Sequence, residues 1–178
     1  MTWEYLDTEP FQARFGIVHS YLRDKVWDKT IVDLNCGHAA PLVDYIPYGF
    51  SLFYANDINL DDEISYGNGR VILERIMDEK VPERLEEILD RLDVLVLLGH
   101  ATGNEQESDM ALGVWGSLLV KWKPSILIHE AASSFSDLIA KTEDMTRLLD
   151  YQIDLRMRLI IEPDDGFVRS RVFTFYRG

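Results

Sequence analysis

Apolar and polar positions alternate between two rhythms along the chain. Mainly apolar runs occur at Thr30 to Asn35, Phe50 to Ala55, Asp93 to Leu98 and Pro124 to Ile128. Such runs, rich in β-branched residues, mark strands covered on both faces. Between them apolar residues recur at helical spacing: Phe11, Phe15, Val18, Tyr21 and Leu22 after Pro10; Leu85, Ile88, Leu89 and Leu92 after Pro82. The same spacing returns at Met110, Leu112, Val114, Trp115, Leu118, Leu119 and Trp122, and at Phe135, Leu138, Ile139, Met145, Leu148 and Leu149 behind a cap at Ser133 or Ser134. Pro41, Leu42, Val43, Tyr45 and Ile46 predict a further helix, and Asn59 or Asp61 predicts a cap for another. Gly67 to Gly69 reads as a turn. In Arg70 to Lys80 the residues Val71, Ile72, Leu73, Ile76 and Met77 fit a helix face better than alternation, which favours a helix, although a doubly wound sheet would want a third strand near here. The tail differs: Ile153 to Ile161 and Val168 to Tyr176 are joined by Glu-Pro-Asp-Asp-Gly with no helix between, which predicts a hairpin.

Strands alternating with helices and closed by an antiparallel hairpin describe an α/β fold, a three-layer α/β/α sandwich around a mostly parallel sheet. At 178 residues one domain spanning 1–178 is expected. Residues 1–28 form a helical extension that covers one sheet face or acts as a lid, with Arg14 and His19 off the apolar stripe and expected at solvent. Thirty-one acidic against 18 basic residues give a net charge of −13, which repels polyanions and makes nucleic acid a poor partner. A single cysteine excludes an internal disulfide framework and suits the cytoplasm. No apolar run approaches the ~20 residues of a membrane span, and no basic-then-apolar leader opens the chain.

Candidate chemistry concentrates where the first strand ends. Asp33 closes that strand, the small residues Cys36, Gly37, His38, Ala39 and Ala40 turn the chain, and Pro41 opens the next element. A helix start exposes free N–H groups, which favour an anionic ligand group. The neighbouring strand ends in Asn56 and Asp57, and an acid at a strand tip can accept two hydrogen bonds from a ribose diol. Together these are the parts of a nucleoside site.

The order of elements and the closing hairpin resemble the class I S-adenosylmethionine-dependent methyltransferase family, with its Rossmann-like sheet. The resemblance covers the chain after residue 28. The family's acid-x-Gly-x-Gly-x-Gly turn is here Asp-Leu-Asn-Cys-Gly-His-Ala over 33–39, with Asn35 and Ala39 where glycines are usual. The resemblance implies S-adenosylmethionine as cofactor. It implies that Asp33 meets the amino group of the cofactor's methionine part and that Gly37 lets the backbone approach. Asp57 would hold the ribose hydroxyls, Ile58 would pack on adenine, and Asn35 and Ala39 would complete the turn. Gly99 and His100 would line the region between methionine and acceptor, and Asp78 is the candidate for the acid that contacts adenine. The implied activity is methyl transfer to a small molecule or protein.

Other chemistry competes for the same residues. His100 and His129, each expected just beyond a strand, are candidate general bases. With His38 they form an alternative transition-metal set, to which Glu130 or Asp57 could add a carboxylate. Cys36 reads as a filler of the turn, and Trp115 and Trp122, seven apart on one helix, as core or interface. A nicotinamide-dinucleotide oxidoreductase would use Asp57 equally well, although Gly-x-Gly-x-x-Gly is missing. A non-catalytic binding module with this fold, whose acidic surface recruits a basic partner, is the third reading. The sequence assigns neither an acceptor nor an oligomeric state.

Overall fold

In the computed structural model, Thr30–Leu34 forms the central strand β1, with all five residues buried. The structure describes residues 9–37, 40–61, 70–98, 105–161 and 169–178. Strands β2 (Leu52–Asn56) and β4 (Val94–Leu97) flank β1 in parallel register, Asp33 lying level with Ala55 on one side and Val96 on the other. Beyond β2 lies β3 (Val71–Glu74), and beyond β4 lies β5 (Ile126–Ala132), both parallel. Strands β6 (Gln152–Ile161) and β7 (Arg169–Arg177) form the closing hairpin, with β7 inserted antiparallel between β5 and β6. The sheet order is therefore β3-β2-β1-β4-β5-β7-β6.

Strand side chains alternate between two cores, as the period of two requires. Ile31, Phe53, Val94, Val96, Ile128, Phe173 and Phe175 meet Phe15, Val18 and Leu22 of helix α1 (Glu9–Leu22). On the opposite face Val32, Leu34, Tyr54, Leu95, Leu97, Leu127 and Tyr176 meet helices α2 (Val81–Ile88), α3 (Glu105–Trp122) and α4 (Ser136–Leu148). These are the three expected layers. Trp115 is fully buried in the second core.

Three local expectations are corrected. Arg70 to Lys80 is not helical: Val71–Glu74 adds the parallel edge strand β3 beside β2, and Asp78–Lys80 is a short 3-10 turn. Four residues are too few to show a period, and backbone pairing with β2 outweighs the helical spacing. The element after the first turn is a five-residue 3-10 helix, Pro41–Tyr45, stopped just before Pro47, so the dipole of a long helix is missing there. Helix α2 ends at Ile88, although Leu89 and Leu92 stay in the core that the helix serves. The expected helix after Asn59 or Asp61 and the Gly67 to Gly69 turn lie largely or wholly outside the described residues. No helix among the described residues is long and apolar enough to cross a membrane.

Candidate functional site

The first turn is built from left-handed backbone. Asn35 (φ 57°), Gly37 (φ 81°) and Ala40 (φ 43°) all have positive φ between β1 and the 3-10 helix. Asn tolerates this region better than most side chains, so it can stand where a glycine would. Its side chain then does something glycine cannot: Asn35 Nδ2 donates to Asp78 Oδ2 at 2.8 Å. Asn56, the last residue of β2, donates from Nδ2 to Asp78 Oδ1, also at 2.8 Å. One carboxylate thus ties together the ends of β1, β2 and the segment after β3.

Asp57 is held in the same manner, by backbone amides. Gly37 N–H donates to its Oδ2 at 2.9 Å and Asn59 N–H to its Oδ1 at 2.7 Å. Each carboxylate oxygen has a second lone pair, so both can still accept from a ligand. Among the described residues, a Cβ added to Gly37 would meet no atom within 4 Å.

Asp33 is different. It is 1% exposed, and its Oδ1 has no hydrogen-bond partner among the described residues. Desolvation, reinforced by the charge of Asp57, holds its carboxyl well above the usual carboxylate range, while Arg14 pulls the other way. Cys36 beside it is also buried, and burial with the Asp33 and Asp57 charges pushes its thiol up, away from the thiolate a nucleophile needs.

No family model matches this sequence. No curated protein matches it either. Solved structures do. The precorrin 8w decarboxylase of Methanobacterium thermoautotrophicum superposes with a TM-score of 0.64 at 18% identity, over 93% of this chain and 89% of that one. The N-methyltransferase NodS of Bradyrhizobium japonicum gives 0.62 at 10% identity, over 97% and 98%. A Burkholderia thailandensis 1,6-didemethyltoxoflavin-N1-methyltransferase, solved with its acceptor and S-adenosylhomocysteine, gives 0.65 at 13% identity, over 98% and 81%. The chain has the fold of the class I S-adenosylmethionine-dependent methyltransferases.

Within this methyltransferase fold the structure brings Asp33, Asn35, Gly37 and Asp57 together at the ends of β1 and β2, with Asp78 beneath them. Ile58 follows at the rim, 54% exposed. Ala39, Gly99, His38 and His100 lie outside the described residues. His129 is inside β5 rather than beyond it, buried on the α3 face with its ring 5.4 Å from that of Trp115. That is the opposite face from Asp33, so His129 is not brought to the Asp33 side, either as a base or as a ligand there. Among the described residues no metal-binding group of three or more His, Cys, Asp or Glu gathers.

Arg14 corrects the expectation of a solvent-facing side chain: it is 5% exposed, and its Nη1 donates to Glu130 Oε2 at 3.3 Å. Arg171 donates from Nε to Glu130 Oε1. Neither arginine was visible as a site residue from sequence. The one available signal is a charged residue next to apolar neighbours, Phe15 for Arg14 and Val172 for Arg171.

Proposed function

We propose that the protein is an S-adenosylmethionine-dependent methyltransferase. The observation that carries this reading is Asp33, a buried carboxyl with an unpartnered oxygen at the C-terminal end of β1, in the crevice where open α/β sheets bind ligands. An orphaned buried acceptor is costly. A ligand ammonium would satisfy it, and the methionine part of the cofactor carries one. Asp57 would take the ribose hydroxyls on the lone pairs that Gly37 and Asn59 leave, Gly37 would admit the ligand against bare backbone, and Ile58 would cover adenine.

When bound, the sulfonium supplies an activated methyl group with its own leaving group. The residues named here hold and orient the donor and exclude water, which is what alignment-driven transfer asks of a protein. We assign deprotonation of the acceptor, where its chemistry requires it, to His100, which lies two residues past Leu98 in sequence, beyond the end of β4. The fold relatives support this class of activity, two of them being named N-methyltransferases.

Calorimetric titration with S-adenosylmethionine, S-adenosylhomocysteine and NAD tests the reading. Heat with the two sulfur compounds and none with NAD is expected. Heat with NAD alone would establish a dinucleotide site instead, and no heat with any of the three would leave a binding module with a methyltransferase fold.

A further inference from the structure

The Arg14, Glu130 and Arg171 cluster is not used by the cofactor reading. It lies on the α1 face of the sheet, as Asp33 does. The register Asp33, Val96, Ile128 puts Glu130 two residues further toward the strand ends, with β4 between the two acids. At the usual strand spacing of ~4.8 Å, Glu130 therefore lies about 10 Å sideways from Asp33 along the mouth of the sheet. Arg171, the third residue of β7, is paired with Ala132 at the C-terminal end of β5, so its backbone is at the same mouth.

One arginine would already match the charge of Glu130. A second buried guanidinium adds a desolvation cost that a purely structural pair would not need. Arg171 gives only its Nε–H to Glu130. Its terminal amino groups have no hydrogen-bond partner among the described residues, although the side chain is only 10% exposed. A guanidinium held by a carboxylate through its Nε–H alone keeps its two terminal amino groups for a second oxyanion, which it would take in a bidentate manner. The net charge of −13 opposes polyanions at long range, so this position suits one anionic group on a small molecule.

We propose that Arg171 is a specificity residue whose terminal amino groups receive a carboxylate or phosphate of a small methyl acceptor. This rests on the methyltransferase reading for the word acceptor, while the anion site itself does not.

Chemical-shift titration of the protein saturated with S-adenosylhomocysteine tests it, with sodium benzoate and inorganic phosphate as separate probes and sodium chloride as the ionic-strength control. Saturable shifts with benzoate, with phosphate or with both, and none with chloride, are expected; the probe that saturates identifies the oxyanion. Arg171→Met should weaken that binding by at least about tenfold while S-adenosylhomocysteine affinity stays within about twofold. If Arg171→Met does not fold, Arg171→Lys, which keeps the charge and loses the fork, should still weaken the probe severalfold. No saturable shift in the wild type, or equal affinity in the variant that folds, overturns the inference. If S-adenosylhomocysteine itself fails to bind, the methyltransferase reading falls, and the same titrations of the free protein still decide the anion site.

Discussion

The two halves of the sheet's C-terminal edge handle buried carboxylates by opposite means. At β1, β2 and the segment after β3, Asp57 and Asp78 are held by amides: two backbone N–H groups for the first and two asparagine side chains for the second. At β5 and β7, Glu130 is held by charge, between Arg14 and Arg171. Amide dipoles leave lone pairs and negative charge available, which suits hydroxyls and an ammonium. Guanidinium pairing consumes the carboxylate and leaves donors over, which suits an anion. Asp33 has neither treatment on its Oδ1, which under the proposed function is the oxygen that a ligand ammonium would meet.

The largest effect should come from breaking the charged half. Glu130→Ala strips two buried guanidiniums of their shared carboxylate, and breaking a buried pair in this way costs about 3–5 kcal/mol. Chemical denaturation should show that loss with an unchanged slope, whereas a cost under about 1 kcal/mol would mean that the pair is solvated. Asp57→Ala acts on the amide half, releasing Gly37 N–H and Asn59 N–H together. Hydrogen bonds to a charged acceptor contribute about 1.5–3 kcal/mol each. S-adenosylhomocysteine affinity should fall by at least about 100-fold, and unchanged affinity would remove both the ribose contact and the turn-holding role.

Asp33→Asn addresses the residue with neither treatment and should separate stability from function. Because the folded-state carboxyl titrates above its unfolded value, the folded protein binds a proton that the unfolded chain has released. Stability from this group is present at acid pH and is lost as pH rises from the usual carboxylate range toward the raised value. Asparagine removes that loss, so the variant should melt higher at neutral pH, by about 2–4 °C for each kcal/mol gained at this chain size. Ligand binding needs the carboxylate charged, so wild-type affinity should rise with pH across the same window and the variant should lose at least about tenfold in S-adenosylhomocysteine affinity. A variant that melts lower, or that binds the ligand equally well, would contradict the reading of Asp33 as an unpaired contact.

How much of this was legible in sequence follows from which interactions are local. The strands with mainly apolar runs, the helices with long periods and the hairpin are local patterns, and all were readable. The edge strand β3 was not: Val71–Glu74 depends on pairing with Phe53 to Asn56, and its apolar spacing fits either state. Asp33, Gly37 and Asp57 could be proposed because a strand end and a turn place them without long-range information. The clasp of Asp78 with Asn35 and Asn56 spans 43 and 22 residues, and the Arg14 to Glu130 pair spans 116. Nothing in the local pattern announces contacts of that length. His129 shows the converse: its position after an apolar run looked like a strand end, but the strand continues through it to Ala132 and the pleat turns it toward Trp115.

The smallest effect, and the one that sharpens the comparison most, concerns Asn35. Replacing it with glycine restores the residue usual in the glycine-rich turn, and a positive φ of 57° is easier for glycine than for asparagine. If the asparagine were a tolerated departure, Asn35→Gly would hold or improve binding. The structure instead gives Asn35 the bond that fixes Asp78, and through Asp78 the end of β2 that carries Asp57. Loss of one hydrogen bond to a carboxylate and the greater unfolded-state entropy of glycine, offset in part by the gain in turn geometry, should leave a net destabilisation of about 1 kcal/mol. S-adenosylhomocysteine affinity should weaken by about threefold to tenfold. Asp78→Asn, which keeps an oxygen opposite one asparagine and puts an NH2 donor opposite the other, should reproduce that loss, and the double variant should cost little more than either single one because both remove the same link. An Asn35→Gly protein that binds more tightly than the wild type would show that the amide half owes its geometry to backbone alone.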